Sequence, residues 1–326
     1  MGAKKKGPAL ILAGFYMLGP GLSAPGAMDW PLAEGTAAAN FGLNDQGRPC
    51  LGMVFQSEGP VLAADGGELI FHRGQEDAAS RLPSPLGSWI VYDHGDGILG
   101  IYSRFDEGKG DSPSDAGEAA PAETGDGGPA AADAAPPAVL LPREIPVRPR
   151  RGELIALSGL SGWSEQKGFY FALYDRRERR WVNPSLVIVP FPDDRPPEIL
   201  SVQLQSDNGR LIPPAQTRIG QGRYSIIVYA VDSPSRASPV RLAPHRLSVF
   251  LNGAEAGSLS METFSAQDGI LSVRRDGLTP VSEVYAPHPA YKAGDALFTR
   301  GQTTMEIIAR DVRGNEAGLT RRLEVE

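Results

Sequence analysis

The chain has 326 residues, of which 41% are hydrophobic, and a formal net charge of -7. This length allows about two domains, and the hydrophobic fraction is sufficient for ordinary buried cores. The single cysteine, Cys50, excludes an internal disulfide. The chain also lacks a recognised nucleic-acid reader motif, which argues against nucleic acid as a partner.

The N-terminal residues 1–27 have the layout of a secretory signal peptide. Lysines at positions 4–6 precede an apolar run over 8–18, and small residues follow up to Ala27. The apolar run is short for a permanent membrane anchor. An uncleaved anchor remains the alternative, because Pro25 disturbs the best cleavage position. We expect an exported protein of the periplasm or cell envelope, without a permanent transmembrane anchor.

Short motifs then follow one another in a fixed order. They are residues 47–54 (GRPCLGMV), 59–69 (GPVLAADGGEL), 87–97 (GSWIVYDHGDG), 101–105 (IYSRF), 151–159 (RGELIALSG), 168–175 (GFYFALYD) and 182–184 (VNP). This series resembles the lysostaphin-type (LytM) zinc peptidases, which cleave peptidoglycan. The resemblance implies a LytM-type β-sheet core domain over residues 28–190.

The positions at which that family carries its zinc ligands and catalytic histidine are all changed in this chain. Cys50 and Val54 stand at the histidine and aspartate of the first motif, Arg104 stands at a catalytic histidine, and Gly168 and Tyr170 stand at the last two histidines. A hydrolytic zinc ion needs three nitrogen, oxygen or sulfur ligands and an open position for water. We therefore expect a pseudo-peptidase with no catalytic residue, bound metal or cofactor.

The same five residues are candidates for a binding groove that remains where the zinc site would be. Tyr170 and Arg104 offer an aromatic ring and a cation, both useful in recognition. In the alternative interpretation Tyr170 and Val54 collapse the groove and pack as core. Cys50 is expected to behave as a small buried hydrophobe and not as a reactive thiol.

Residues 106–142 form a low-complexity stretch rich in alanine, proline, glycine and acidic residues. It carries eight acidic residues and one basic residue, so its net charge of -7 equals that of the whole chain. Such a segment cannot bury enough apolar surface to fold, and we predict a disordered insertion that acts as a tethered cover or a proteolysis site. Arginines cluster at 148–151 and 176–180; they are interpreted as solvated turn and edge charges, or as a surface that holds the insertion or an acidic partner.

The C-terminal part begins after a proline-rich hinge at residues 191–197. Alternating apolar runs separated by turn residues recur over 198–326 and predict an immunoglobulin-like β-sandwich. Residues 307–315 resemble the closing hairpin of bacterial immunoglobulin-like modules, and Asp311 in it is interpreted as a turn cap in preference to a calcium ligand. The predicted fold class of the whole chain is therefore all-β.

A relocated metal site would have to draw on His72, His94, Asp93 and Asp96 in the first domain. The two-residue period of a strand places Asp93 and His94 on opposite faces, so we do not expect these groups to converge.

The sequence favours a noncatalytic peptidase-like envelope protein that binds, and regulates or scaffolds, a murein hydrolase or peptidoglycan. Two alternatives stay open. One is an active peptidoglycan metalloendopeptidase with a relocated metal site, and the other is a structural or adhesion protein of the envelope. The oligomeric state is not determined by the sequence.

Overall fold

The computed structural model describes residues 28–32, 35–74, 84–106, 145–162, 166–233, 240–287 and 289–326. The predicted signal peptide lies outside these ranges, as does the predicted insertion apart from its first residue. In the described part, no helix has the length and apolar character needed to cross a membrane. Strands account for nearly all regular structure there, which confirms the prediction of an all-β fold.

In its described residues, the N-terminal half contains twelve short strands and one 3-10 turn at Pro184–Leu186. The strands are β1 (Thr36–Ala39), β2 (Asn44–Asp45), β3 (Arg48–Pro49), β4 (Met53–Gln56), β5 (Pro60–Leu62), β6 (Glu68–Arg73), β7 (Trp89–Asp93), β8 (Ile98–Ser103), β9 (Phe105–Asp106), β10 (Leu154–Ser158), β11 (Phe169–Asp175) and β12 (Arg180–Val182).

The C-terminal half contains longer strands and one short helix, α1 (Val281–Val284). The strands are β13 (Glu198–Ser206), β14 (Leu211–Ile212), β15 (Arg218–Ile219), β16 (Gly222–Val231), β17 (Arg246–Leu251), β18 (Ala254–Gln267), β19 (Ile270–Arg275), β20 (Leu278–Pro280), β21 (Ala290–Phe298), β22 (Gly301–Arg310) and β23 (Glu316–Val325).

An antiparallel sheet in the order β12-β11-β8-β7-β6 dominates the N-terminal half, and β4 also pairs with β11. The two-residue period of these strands sends one set of side chains to each face. One face is large and fully buried, with Tyr92, Tyr102, Phe55 and Phe171 at its centre. The opposite face carries a smaller apolar cluster.

Two sheets enclose a single core in the C-terminal half. One runs β14-β13-β16-β21, and the other contains β15, β23, β22, β17 and β18 in that order. The backbones of β18 and β21 approach each other closely. A Cβ atom added to Gly257 on β18 would lie 2.6 Å from the carbonyl oxygen of Ala293 on β21. The arrangement is a face-to-face packing of two sheets; its membership of the immunoglobulin-like class remains a prediction.

Strand pairing and core packing join the two halves, in addition to the chain that connects them. Strand β12 pairs with β18, which places Trp181 opposite Phe264 and makes one continuous sheet across both halves. Phe41, from the N-terminal segment, is buried in the C-terminal core. The predicted boundary at residues 191–197 therefore marks a change in chain course, while packing and strand pairing extend across it.

Candidate binding site

The strands that carry the altered ligand positions lie side by side in the N-terminal sheet. Tyr170 on β11 is opposite Val54 on β4 and opposite Ser103 on β8. Ser103 is in turn opposite Trp89 on β7. These four residues form a cross-strand row, and because directly paired residues point to the same face, their side chains share one face of the sheet.

Cys50 and the ring of Tyr170 both contact Gly52. A Cβ atom added to Gly52 would be 2.7 Å from Cζ of Tyr170, so only glycine leaves room for the ring at that place. The Cys50 thiol donates a hydrogen bond to the Gly52 carbonyl oxygen at 3.3 Å. Burial raises the pKa of Cys50 to about 11, although the Gly52 hydrogen bond and the charge of Arg104 oppose this rise. At neutral pH this sulfur is a protonated thiol.

Arg104 is held by its backbone in an uncommon conformation, with φ of 67°. Its N–H group donates to the carbonyl oxygens of Leu86 and Ser88, both at 3.0 Å. The guanidinium carbon lies 6.0 Å from the centre of the Tyr170 ring, which is the outer limit for a cation–π contact. The Nε atom of Arg104 is buried and has no hydrogen-bond partner among the described residues. The side chain thus brings a cation, whose Nε has no partner among the described residues, over the Tyr170 ring.

Gly168 lies at the start of β11, where the backbones leave no room for a side chain. It exchanges two backbone hydrogen bonds with Gly159, at 2.9 and 3.0 Å. An added Cβ atom would be 2.0 Å from the carbonyl oxygen of Phe55. This position contributes shape to the site and no chemical group.

These residues do not fit a zinc ion. Val54 and Gly168 carry no donor atom, and Arg104 is a cation. Cys50 would have to lose a proton that burial holds firmly, and ligation requires the thiolate. The phenol of Tyr170 is also held protonated, because burial raises its pKa well above the usual range.

An aromatic and aliphatic face extends from Tyr170 across the same side of the sheet. Its buried centre is Val91, Ile101 and Ala172. Half-buried side chains surround this centre, namely Trp89, Leu99, Tyr170, Tyr174 and Trp181. We call these eight residues, together with Phe71, the aromatic face. Phe71 is 45% exposed, and its ring centre lies 4.5 Å from that of Trp89.

The histidines and carboxylates considered for a relocated metal site are occupied in other ways. Nδ1 of His94 is 3.0 Å from the Gly66 carbonyl oxygen, and Nε2 is 3.1 Å from the Tyr102 hydroxyl. Asp93 and Asp96 pair with Arg176 and Arg177 on the surface. These carboxylates and His94 do not form one of the potential metal-binding groups found among the described residues.

The arginine clusters are partly paired within the N-terminal half. Arg148 pairs with Glu68, Arg151 with Asp65, and Arg180 with Asp175, at 3.0 to 3.4 Å. Their paired and mostly exposed positions agree with the interpretation as solvated turn and edge charges. Any contact with the acidic insertion lies outside the described residues.

Sequence reasoning missed a second feature, at the junction of the two halves. A cavity of about 340 Å³ lies there, lined by residues of both halves and of the hinge. Asp193, Asp232 and Asp311 bring carboxylate oxygens within 4.8 Å of one another beside it. Asp311 was expected only to cap a turn, which it does by accepting hydrogen bonds from Asn315. No local sequence signal links the three aspartates, because they come together only through the fold.

Comparison with known proteins gives only distant similarities. A protein-family model matches residues 196–326, which is less than half of the chain, and no curated protein matches. Among solved structures, the catalytic domain of the prophage-encoded M23 protein EnpA from Enterococcus faecalis is 15% identical, with a TM-score of 0.30, over 50% of this chain and 97% of that one.

Two structures of lysostaphin also match over most of the chain. An NMR structure is 13% identical, with a TM-score of 0.33, over 85% of this chain and 100% of that one. The antimicrobial peptidase lysostaphin from Staphylococcus simulans is 12% identical, with a TM-score of 0.30, over 91% and 92% of the two chains. The structural neighbours are thus peptidases of the lysostaphin type, at an identity and TM-score too low to transfer any activity to this chain.

Proposed function

We propose that this chain is an exported, noncatalytic envelope protein that binds peptidoglycan through the aromatic face and the residues around Tyr170. The lysostaphin-type motifs supply the framework, and the altered positions leave a surface suited to binding. A murein hydrolase is the other partner that the resemblance suggests, and a complex with one would make the protein a regulator or scaffold of that enzyme.

The observation that carries the proposal is the pairing of Val54 with Tyr170 in the centre of the sheet. The resemblance assigns zinc-ligand positions of that family to both residues, and their pairing supports the idea of a shared framework that lacks the donor atoms. A protein that keeps this arrangement without a metal can still use the face for recognition.

The chemistry of the face suits a carbohydrate-peptide polymer. Trp89, Tyr170, Tyr174 and Trp181 are half-buried, so each ring is held in place and keeps an accessible part. Rigid aromatic rings offer flat apolar surface at low entropic cost. Arg104 supplies a cation at one edge, where a carboxylate of a stem peptide would form a charge-assisted hydrogen bond.

Sedimentation with purified sacculi tests the proposal. The full chain at physiological salt is expected to sediment with sacculi and to leave them uncleaved. Replacement of the exposed ring in Phe71→Ala should weaken binding about threefold to tenfold, since the loss of one aromatic contact is worth about 1 kcal/mol. The matched control is Ile270→Ala, which removes a side chain that is 54% exposed on β19, away from the face.

Three outcomes would count against this assignment. If the wild-type chain stays in the supernatant, peptidoglycan is not its ligand. If Ile270→Ala weakens binding as much as Phe71→Ala, the aromatic face is not the site. Release of muropeptides together with a stoichiometric metal ion would instead support the active peptidase.

A further inference from the structure

The cavity at the junction is walled by three parts of the chain. The N-terminal segment contributes Asn40 and Phe41, the hinge contributes Phe191 and Asp193, and the C-terminal half contributes residues that include Asp232. A space of about 340 Å³ has room for several water molecules, each of which takes about 30 Å³. Asp193 and Asp232 line this cavity, and Asp311 lies beside them.

Three aspartates from different elements meet at this wall. Asp193 belongs to the hinge, Asp232 follows the end of β16, and Asp311 follows the end of β22. One carboxylate oxygen of each lies within 4.8 Å of the others. Asp232 is only 6% exposed and Asp311 only 1% exposed. Buried carboxylates this close repel one another strongly unless a proton or a cation lies between them.

The hydrogen bonds among the described residues leave one of these carboxylate oxygens without a donor. Asp311 accepts from the N–H and the side-chain amide of Asn315, at 2.9 and 2.7 Å. Asp193 accepts from the N–H of Arg195 at 2.9 Å. Asp232 accepts a backbone hydrogen bond from Ser233, but its Oδ1 atom is buried and has no hydrogen-bond partner among the described residues. A buried carboxylate oxygen without a donor is uncommon and calls for a bound group.

The charges around Asp232 support the same conclusion. Burial, with the negative charges of Asp193 and Asp311, raises the pKa of Asp232 to about 7, while the Ser233 hydrogen bond and the charge of Arg195 act in the opposite direction. Arg195 is a single cation near three carboxylates, and a cation bound between them would offset the remaining negative charge.

We propose that Asp193, Asp232 and Asp311 bind a calcium ion at the wall of the junction cavity. His245 also lines this cavity, but its ring nitrogens are not part of the group of ligand atoms within 4.8 Å. The donor set is therefore all oxygen, which favours a hard cation over zinc.

Calcium fits this spacing and this surrounding. Its oxygen ligands lie about 2.3–2.6 Å from the ion, so two of them are separated by up to about 5.2 Å, which accommodates oxygens within 4.8 Å of one another. Calcium also tolerates irregular geometry, whereas magnesium demands a nearly ideal octahedron. Waters in the adjoining cavity can complete the six to eight ligands that calcium takes. The bound ion would tie the hinge to the ends of β16 and β22, and so fix the position of the two halves.

Titration of the chelator-treated full chain with calcium chloride tests the proposal by calorimetry and thermal unfolding. Calcium is expected to raise the Tm by several degrees, because a ligand of the folded state stabilises it. Asp232→Asn should weaken calcium binding at least tenfold. The matched control is Asp194→Asn, which removes the same charge from an exposed neighbour of Asp193 outside the trio, and it should stay within about twofold of wild type.

Each outcome of this experiment either supports or contradicts the proposed calcium site. Asp232→Asn also removes a repelling charge, so the variant is expected to fold, and circular dichroism of the metal-free protein checks this. A wild-type chain with no heat of binding and no change in Tm overturns the site. If Asp194→Asn loses as much calcium affinity as Asp232→Asn, binding depends on nonspecific surface charge, and the proposed site is wrong. A response to magnesium without one to calcium overturns the choice of ion.

Discussion

Tyr170 and Val54 lie directly opposite each other on the paired strands β11 and β4. A phenol therefore faces an isopropyl group across this strand pair, and neither side chain offers the neutral imidazole or carboxylate that a zinc site uses. The ring of Tyr170 also lies against Gly52, where an added Cβ atom would be 2.7 Å from Cζ of the ring.

Gly168→Ala is expected to lower the free energy of unfolding by more than about 2 kcal/mol, because the added methyl group would meet backbone that cannot move aside. Its Cβ atom would lie 2.0 Å from the Phe55 carbonyl oxygen. Urea denaturation of the purified variant measures the change. Gly59→Ala serves as control, since nothing lies within 4 Å of its added Cβ. Equal stability of both variants would show that the start of β11 tolerates a side chain, and restoring a histidine there would become feasible.

Cys50 is expected to react slowly with thiol reagents in the folded protein. With a pKa of about 11, about 0.1% of the thiol is ionised at pH 8, whereas the unfolded chain has the ordinary pKa of about 8.5. Alkylation at pH 8 should therefore be about two-hundredfold slower in buffer than in denaturant. The chain has one cysteine, so the signal reports this site alone. Similar rates in both conditions would mean that the thiol is neither buried nor held protonated.

The placement of Val54 and Tyr170 on strands of one sheet could be expected from the sequence, because motif order and strand alternation both point to it, whereas Arg104 lies in a bend after β8. The all-β class could be expected for the same reason. The entry of Phe41 into the C-terminal core and the pairing of β12 with β18 could not. The two-residue period of a strand predicts which of its faces is apolar. It does not predict which distant part of the chain packs against that face. The meeting of Asp193, Asp232 and Asp311 depends on that same long-range packing.

Acidification below about pH 6.5 is expected to destabilise the N-terminal half through His94. Burial lowers the pKa of His94 below its usual value, although Gly66, Asp65 and Asp93 oppose this. The folded protein therefore prefers neutral imidazole. In the hydrogen-bond network, the Tyr102 hydroxyl accepts from the N–H of Ala64 and donates to Nε2 of His94. Protonation of Nε2 would remove that acceptor.

The sign of the effect follows from linkage. A group whose folded pKa is depressed stabilises the protein above its unfolded pKa, which is about 6.5 for histidine, and that contribution is lost as the pH falls toward the folded pKa. Between pH 7.5 and 5 the Tm of wild type should fall more steeply than that of His94→Gln. His72→Gln, on the exposed strand β6, should retain the wild-type slope. If the Tm falls with pH equally in wild type and His94→Gln, other groups cause the pH dependence.

Asn44 should couple the unfolding of the two halves. It is 1% exposed, and its amide donates to the carbonyl oxygens of Ala286 and Ala290 while its own oxygen accepts from the N–H of Gly47. Asn44→Ala leaves these groups unpaired in a buried place, at a cost of about 2–4 kcal/mol. Because the lost bonds join the N-terminal segment to the C-terminal half, we expect the single thermal transition of the wild type to broaden or divide in two. Gln302→Ala, at an exposed site on β22, should leave the transition unchanged. If Asn44→Ala unfolds in one sharp transition at the wild-type Tm, this junction contributes little to cooperativity, and β12 with β18 must hold the halves together.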